Sequence, residues 1–264
     1  MSKKILLVPI FAIALTVVAS FALTASANHS WGGYHWARSA NPLNLKLGDN
    51  LTANWDSYLV LASSDWSQSD VLNTAVVSGS TNPKNCKAVS GRVEVCNNKY
   101  GNNGWLGVAS IWISGSHITQ ATVKLNDTYF GTAKYNTPAW RKLVACQEIG
   151  HTFGLDHQDE EFANANLGTC MDYTNDPDGT LYGQPSNEHP NTHDYDELDI
   201  IYSHLDSAVP IVSRAHSSNG QEVDLSDSSA WGRQIRASSD GRGSLYARDL
   251  GKGEKVFTFV TWAN

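Results

Sequence analysis

Hydrophobic and polar positions alternate with a period of two in several short runs. Leu43-Asn44-Leu45-Lys46-Leu47 alternates strictly and predicts a first strand. Leu59, Leu61 and Trp66 make an amphipathic pattern over Trp55 to Ser67, which predicts a helix. Val71 to Val77 is apolar and β-branched and predicts a second strand. Arg92-Val93-Glu94-Val95 alternates and makes a third. Gly107 to Ser114 and Ile118 to Leu125 predict two more, joined by a turn at Gly115-Ser116-His117. The next segment switches to steps of three and four. Trp140, Leu143, Val144, Gln147 and His151 lie near one helical face, with Thr137 as cap, Pro138 at the first helical position and Gly154 as terminator.

Leu155 to Pro190 is rich in turn residues and predicts irregular structure. A further helix is expected from Asp194, with Glu197 completing a capping box and Tyr195, Leu198, Ile201, Tyr202 and Leu205 as its apolar stripe. Pro210 closes that unit. Beyond it, Ser244 to Ala247 and Lys255 to Trp262 alternate, which predicts a small β-rich appendage over 209–264.

Residues 1–27 carry Lys3, Lys4, an apolar run from Ile5 to Leu23 and the small-residue exit Ala25-Ser26-Ala27, the pattern of a secretory leader. Once it is removed, no apolar stretch approaches a membrane span, so an extracellular protein without a membrane anchor is expected. There are 19 basic and 26 acidic residues, a balance that argues against a nucleic-acid partner. The 4 cysteines suit an oxidising compartment and an even pairing. Cys86 and Cys96 flank a turn before a strand and are expected to pair.

The candidate chemistry lies in Gln147-Glu148-Ile149-Gly150-His151-Thr152-Phe153-Gly154-Leu155-Asp156-His157. Positions 147 and 151 are one helical turn apart, so both side chains can address one ion. Glu148 lies beside them, and Gly154 lets the chain fold back to bring His157 to the same point. Three protein ligands and a water are the pattern of a catalytic zinc site.

This stretch, standing as Q-E-x-x-H-x-x-G-x-x-H, resembles the metzincin metalloproteases, whose signature begins with histidine. Cys170-Met171-Asp172-Tyr173 is similar to their Met-turn, and the upstream order of elements looks most like matrixins. The resemblance implies an α+β fold over 28–208: a twisted mixed sheet, a backing helix, an active-site helix and Met171 beneath the metal. It implies a zinc endopeptidase with Glu148 as general base and Gln147, His151 and His157 as ligands. It also implies an extended peptide substrate pairing with an edge strand near Gly107-Val108-Ala109, and a Cys146–Cys170 bridge joining the helix to the Met-turn.

Gln147 departs from the signature. An amide oxygen is a weaker zinc donor than imidazole, so a metal-free, peptide-binding pseudo-protease stands beside the enzyme reading. Tyr173 reads either as a group reaching the reaction centre or as a core tyrosine. His189 and His193 read as solvated loop histidines, and Asp176-Pro177-Asp178-Gly179 as a turn. Asn50-Leu51-Thr52 and Asn126-Asp127-Thr128 match glycosylation acceptors. Too little chain separates Ala27 from Leu43 for a folded pro-segment, so activity directly after leader removal is expected.

Overall fold

The structure, a computed structural model, describes residues 29–206, 225 and 227–263. The expected leader, Pro210 and the expected domain boundary at 208/209 lie outside the described residues. Among the described residues no helix is long and apolar enough to cross a membrane.

The elements are β1 (His35–Trp36), β2 (Leu43–Asn50), α1 (Ala53–Trp66), β3 (Leu72–Ser78), β4 (Arg92–Asn98), β5 (Trp105–Ser114), β6 (His117–Asn126), the single turn α2 (Asp127–Phe130), α3 (Pro138–His151), α4 (Thr192–Ile201), β7 (Arg233–Ala237), β8 (Gly243–Gly251) and β9 (Glu254–Trp262). Nine strands form one mixed sheet in the order β3-β2-β4-β6-β5-β9-β8-β7, with β1 beside the start of β6. Strands β3, β2, β4 and β6 run parallel, and β5, β9, β8 and β7 continue antiparallel.

Helix α1 buries Trp55, Leu59, Ala62 and Trp66, a stripe at steps of four, three and four. It is the crossover that two adjacent parallel strands, β2 and β3, require. Strand β4 is buried from Val93 through Asn97 and β6 from Ala121 through Asn126, as expected of central strands covered on both faces. Asn50 and Asn126, the two glycosylation candidates, are buried, and the Asn50 amide donates to Glu94 Oε2 at 2.5 Å. Neither can accept a glycan in this fold.

Two expectations need correction here. The tail set apart as an appendage continues the main sheet: β9 lies against β5, and its residues alternate between two cores. Phe257 and Phe259 join the main cluster, while Val256 and Val260 pack with Trp105, Val108 and Trp231 on the other face. The last helix begins three residues earlier than expected. Asn191 is its cap and Asp194 the reciprocal partner in the capping box. It ends at Ile201, which leaves Leu205 exposed and outside the stripe.

Candidate active site

Helix α3 starts as its sequence requires, with Thr137 Oγ1 accepting from the Trp140 N–H at 3.3 Å. Its far end is buried, so its carbonyls need partners. Trp31 Nε1 donates to the His151 carbonyl at 3.0 Å, Trp36 Nε1 to Thr152 at 2.8 Å, and the Tyr202 hydroxyl to Phe153 at 3.0 Å. The chain then reverses at Gly154, whose φ of +105° and contact with the Tyr34 carbonyl leave no room for a side chain. Both disulfides, Cys86–Cys96 and Cys146–Cys170, are present. The second fastens α3 to the turn that carries Met171. A Cβ at Gly150 would come within 2.7 Å of Met171 Sδ, so the methionine packs directly on the helix.

The reversal brings the two histidines together. His151 Nε2 and His157 Nε2 face each other at 3.0 Å. His151 Nδ1 lies 2.9 Å from the Leu155 carbonyl and His157 Nδ1 lies 3.3 Å from Glu160 Oε1. A carbonyl and a carboxylate only accept, so each Nδ1 carries a hydrogen, and the Nε2 of a neutral ring presents a lone pair. At this separation something positive lies between the two nitrogens, either one proton in an N–H···N hydrogen bond or a metal ion. The donor set therefore fits a metal, with the outer hydrogen bonds that metal-ligating histidines use. Burial, and then the neighbouring His157, hold the pKa of His151 well below the ordinary histidine value, so this ring stays neutral. His157 also meets Asp156 and Glu160, but Arg236 occupies both carboxylates: Nη1 donates to Asp156 Oδ2 at 2.6 Å and Nε lies 3.2 Å from Glu160 Oε1. That cluster is an ion pair.

Gln147 is buried and engaged at both ends of its amide. Nε2 donates to the Cys170 carbonyl at 3.0 Å, which turns Oε1 toward the Thr261 hydroxyl at 2.9 Å. A carbonyl oxygen has two lone pairs, and one is left for a further partner. Glu148 is fully buried; Oε1 accepts from Thr261 at 2.7 Å and Oε2 has no hydrogen-bond partner among the described residues. Burial pushes its pKa up to about 8 against the opposing hydrogen bonds from Thr261 and the Ala109 backbone. Gly107 makes this packing possible, since a Cβ there would approach Glu148 Oε1 to 2.5 Å.

Strand β9 runs through the middle of this arrangement. It pairs Gly107 with Thr261, Val108 with Val260 and Ala109 with Phe259. The strand expected to offer a free edge to substrate is therefore paired on both sides, by β6 and by β9. The Phe259 ring stacks on His151 at 4.1 Å and 12°, and Arg236 of β7 clamps Asp156. Thr261, Phe259 and Arg236 escaped the sequence reading because strand alternation carries no information about which distant strand is the partner.

Tyr173 is buried with its ring 4.3 Å from His157, and burial raises its phenol far above the ordinary value. His189 is half-exposed and meets Asp65 Oδ2 at 2.7 Å. His193 is not a solvated loop residue: it stacks on the buried His29 at 4.8 Å. Asp176 to Gly179 forms a turn, with the Gly179 N–H donating to the Asp176 carbonyl at 2.9 Å.

No protein-family profile and no curated protein matches the chain. Among solved structures it is similar to high choriolytic enzyme 1, a hatching-enzyme zinc protease from Oryzias latipes (medaka fish), at 10% sequence identity and a TM-score of 0.35, over 66% of this chain and 96% of that one.

Proposed function

We propose that the chain is a secreted, zinc-dependent peptidase of the metzincin type whose cleft is closed by its own C-terminal strand. The observation that carries this reading is the convergence of His151 Nε2 and His157 Nε2 at 3.0 Å, at the end of the helix that carries Glu148. Gln147, His151 and His157 are the residues to hold the zinc, and Met171 is the Met-turn beneath it. When bound, the ion supplies Lewis acidity to a water and to the scissile carbonyl. Glu148 takes a proton at its unpartnered Oε2 and returns it to the leaving amine. Gln147 is oriented for its role by the Cys170 carbonyl. The substrate is an extended peptide that pairs with β5 in the place that β9 takes. The two disulfides favour the extracellular space, in keeping with the leader expected from the sequence.

One observation favours the binding-module alternative. The Thr261 hydroxyl engages both Gln147 Oε1 and Glu148 Oε1, the two oxygens that the reaction uses. Zinc-loaded intact chain and a chain ending at Asp224 are to be compared on an unfolded protein substrate, each with its Glu148→Gln counterpart. The expected result is hydrolysis by the shortened chain, little by the intact one, and none after Glu148→Gln. A shortened chain that is folded, zinc-loaded and inert refutes the peptidase; an equally active intact chain refutes the closure.

A further inference from the structure

On the other side of the α3 terminus, β1, the start of β6 and the segment after α4 bring three histidines to one carboxylate. His117 Nε2 lies 2.9 Å from Asp206 Oδ1, His204 Nε2 lies 3.5 Å from it and His35 Nε2 lies 3.7 Å from it. The rings of His117 and His204 meet His35 edge-on, at 5.0 Å and 4.9 Å. Each Nε2 tip is thus directed at one oxygen.

His35 is the informative member. It is 5% exposed, and its Nδ1 lies 2.9 Å from the Gly33 carbonyl. A carbonyl cannot donate, so Nδ1 carries a hydrogen, and a neutral ring then presents its lone pair at Nε2. That Nε2 is buried without a hydrogen-bond partner among the described residues. It lies 3.7 Å from Asp206 Oδ1, an acceptor. What joins them is a positive charge, the proton of an imidazolium or a metal ion, and three histidine nitrogens gathered on one carboxylate oxygen suit the metal. Asp206 is held for this purpose too: its Oδ2 accepts the Arg38 N–H at 2.8 Å, which turns Oδ1 toward the histidines. An outer hydrogen bond to a ligating histidine and another to a ligating carboxylate are the support that metal sites carry.

We propose that His35, His117, His204 and Asp206 form a second metal site, structural in role, for a divalent transition cation with zinc the best fit. Three imidazole nitrogens and one carboxylate oxygen make a four-donor set suited to tetrahedral zinc, and a hard cation such as calcium would want more oxygens. Four protein ligands leave no open position, so the site clips chain segments together and takes no substrate. The segments joined are the N-terminal β1, β6 of the sheet and the end of the unit that α4 closes. None of the four ligands belongs to the set proposed for catalysis, so this site stands or falls independently of the peptidase.

The test counts zinc in the full chain. After equilibration with zinc and removal of the excess, wild type is expected to hold about two ions per chain by elemental analysis. His204→Ala, an exposed position safe for folding, is expected to lose about one of them and with it much of the zinc-dependent rise in melting temperature. Asp206→Asn is expected to weaken the same site by tenfold or more. His157→Ala is expected to remove the other ion only. If the catalytic ligands bind nothing, wild type holds about one ion, which persists in His157→Ala and vanishes in His204→Ala. Zinc content and melting temperature that are unchanged in both His204→Ala and Asp206→Asn overturn the proposal. So does a His151→Ala/His157→Ala chain that is folded yet takes up no zinc and no cobalt.

Discussion

Gly154 sits at a φ of +105° with the Tyr34 carbonyl against the place where a Cβ would be. Gly154→Ala should therefore cost about 2 kcal/mol or more in urea unfolding, from backbone strain and a forced shift at a packed position. A loss below about 0.5 kcal/mol would mean that the turn relaxes freely. At Gln147 the expected change is in affinity. Imidazole is the better zinc donor, so Gln147→His should tighten zinc at the proposed catalytic site about tenfold, about 1.4 kcal/mol. The titration is best read in a His204→Ala background, where only that site contributes. Equal affinities in wild type, Gln147→His and Gln147→Ala would exclude position 147 from the ligand set. Gln147, Glu148, His151 and His157 were legible as a group because one helical turn and one glycine reversal place them, and both are local rules. Thr261 and Phe259 were not, since they reach the same place through a pairing more than a hundred positions away in the chain.

At the scale of elements, helix starts were readable to within a few residues because caps are chemical. Thr137 and Pro138 fixed the start of α3, but at α4 two cap-competent residues, Asn191 and Asp194, stand three apart. Asp194 takes the inner place because it accepts from the Asn191 N–H at 2.7 Å and from the Thr169 hydroxyl. Burial pushes its carboxyl up to about 6 despite those hydrogen bonds. The folded pKa lies above the ordinary aspartate value, so the stabilisation from its protonated form is complete below about pH 4 and is lost as pH rises through about 6. Wild type should then lose about 1–3 kcal/mol relative to Asp194→Asn between pH 4 and pH 7, by urea melts at several pH values. A difference that stays flat with pH would show the carboxyl to be ionised throughout. The two-residue β1 was not legible at all. His35-Trp36 has no alternation of its own and is a strand only because β6 lies beside it.

Across the whole molecule, the pattern of residues revealed seven of the nine strands, missing β1 and β7, and beyond the turn that joins β5 to β6 it revealed none of their partners. Ser244 to Ala247 and Lys255 to Trp262 read as strands of a separate unit, yet they complete a sheet in which β9 is interior and β7 is the edge. Amides of Phe259 and Val260 should accordingly exchange with solvent as slowly as those of Val108 and Ala109, and far more slowly than those of the exposed β7. Exchange of β9 on the timescale of β7 would show that the tail opens on its own. The gathering of His35, His117, His204 and Asp206 was hidden for the same reason, being drawn from three segments far apart in the chain. The pairing of β9 with β5 also sets a threshold for any outside strand. A segment on the same chain competes at an effective concentration on the order of millimolar. A free peptide present at micromolar level must therefore bind β5 roughly a thousandfold more tightly than β9 does to share the cleft equally. Dose, and not sequence preference alone, would decide which peptides gain entry.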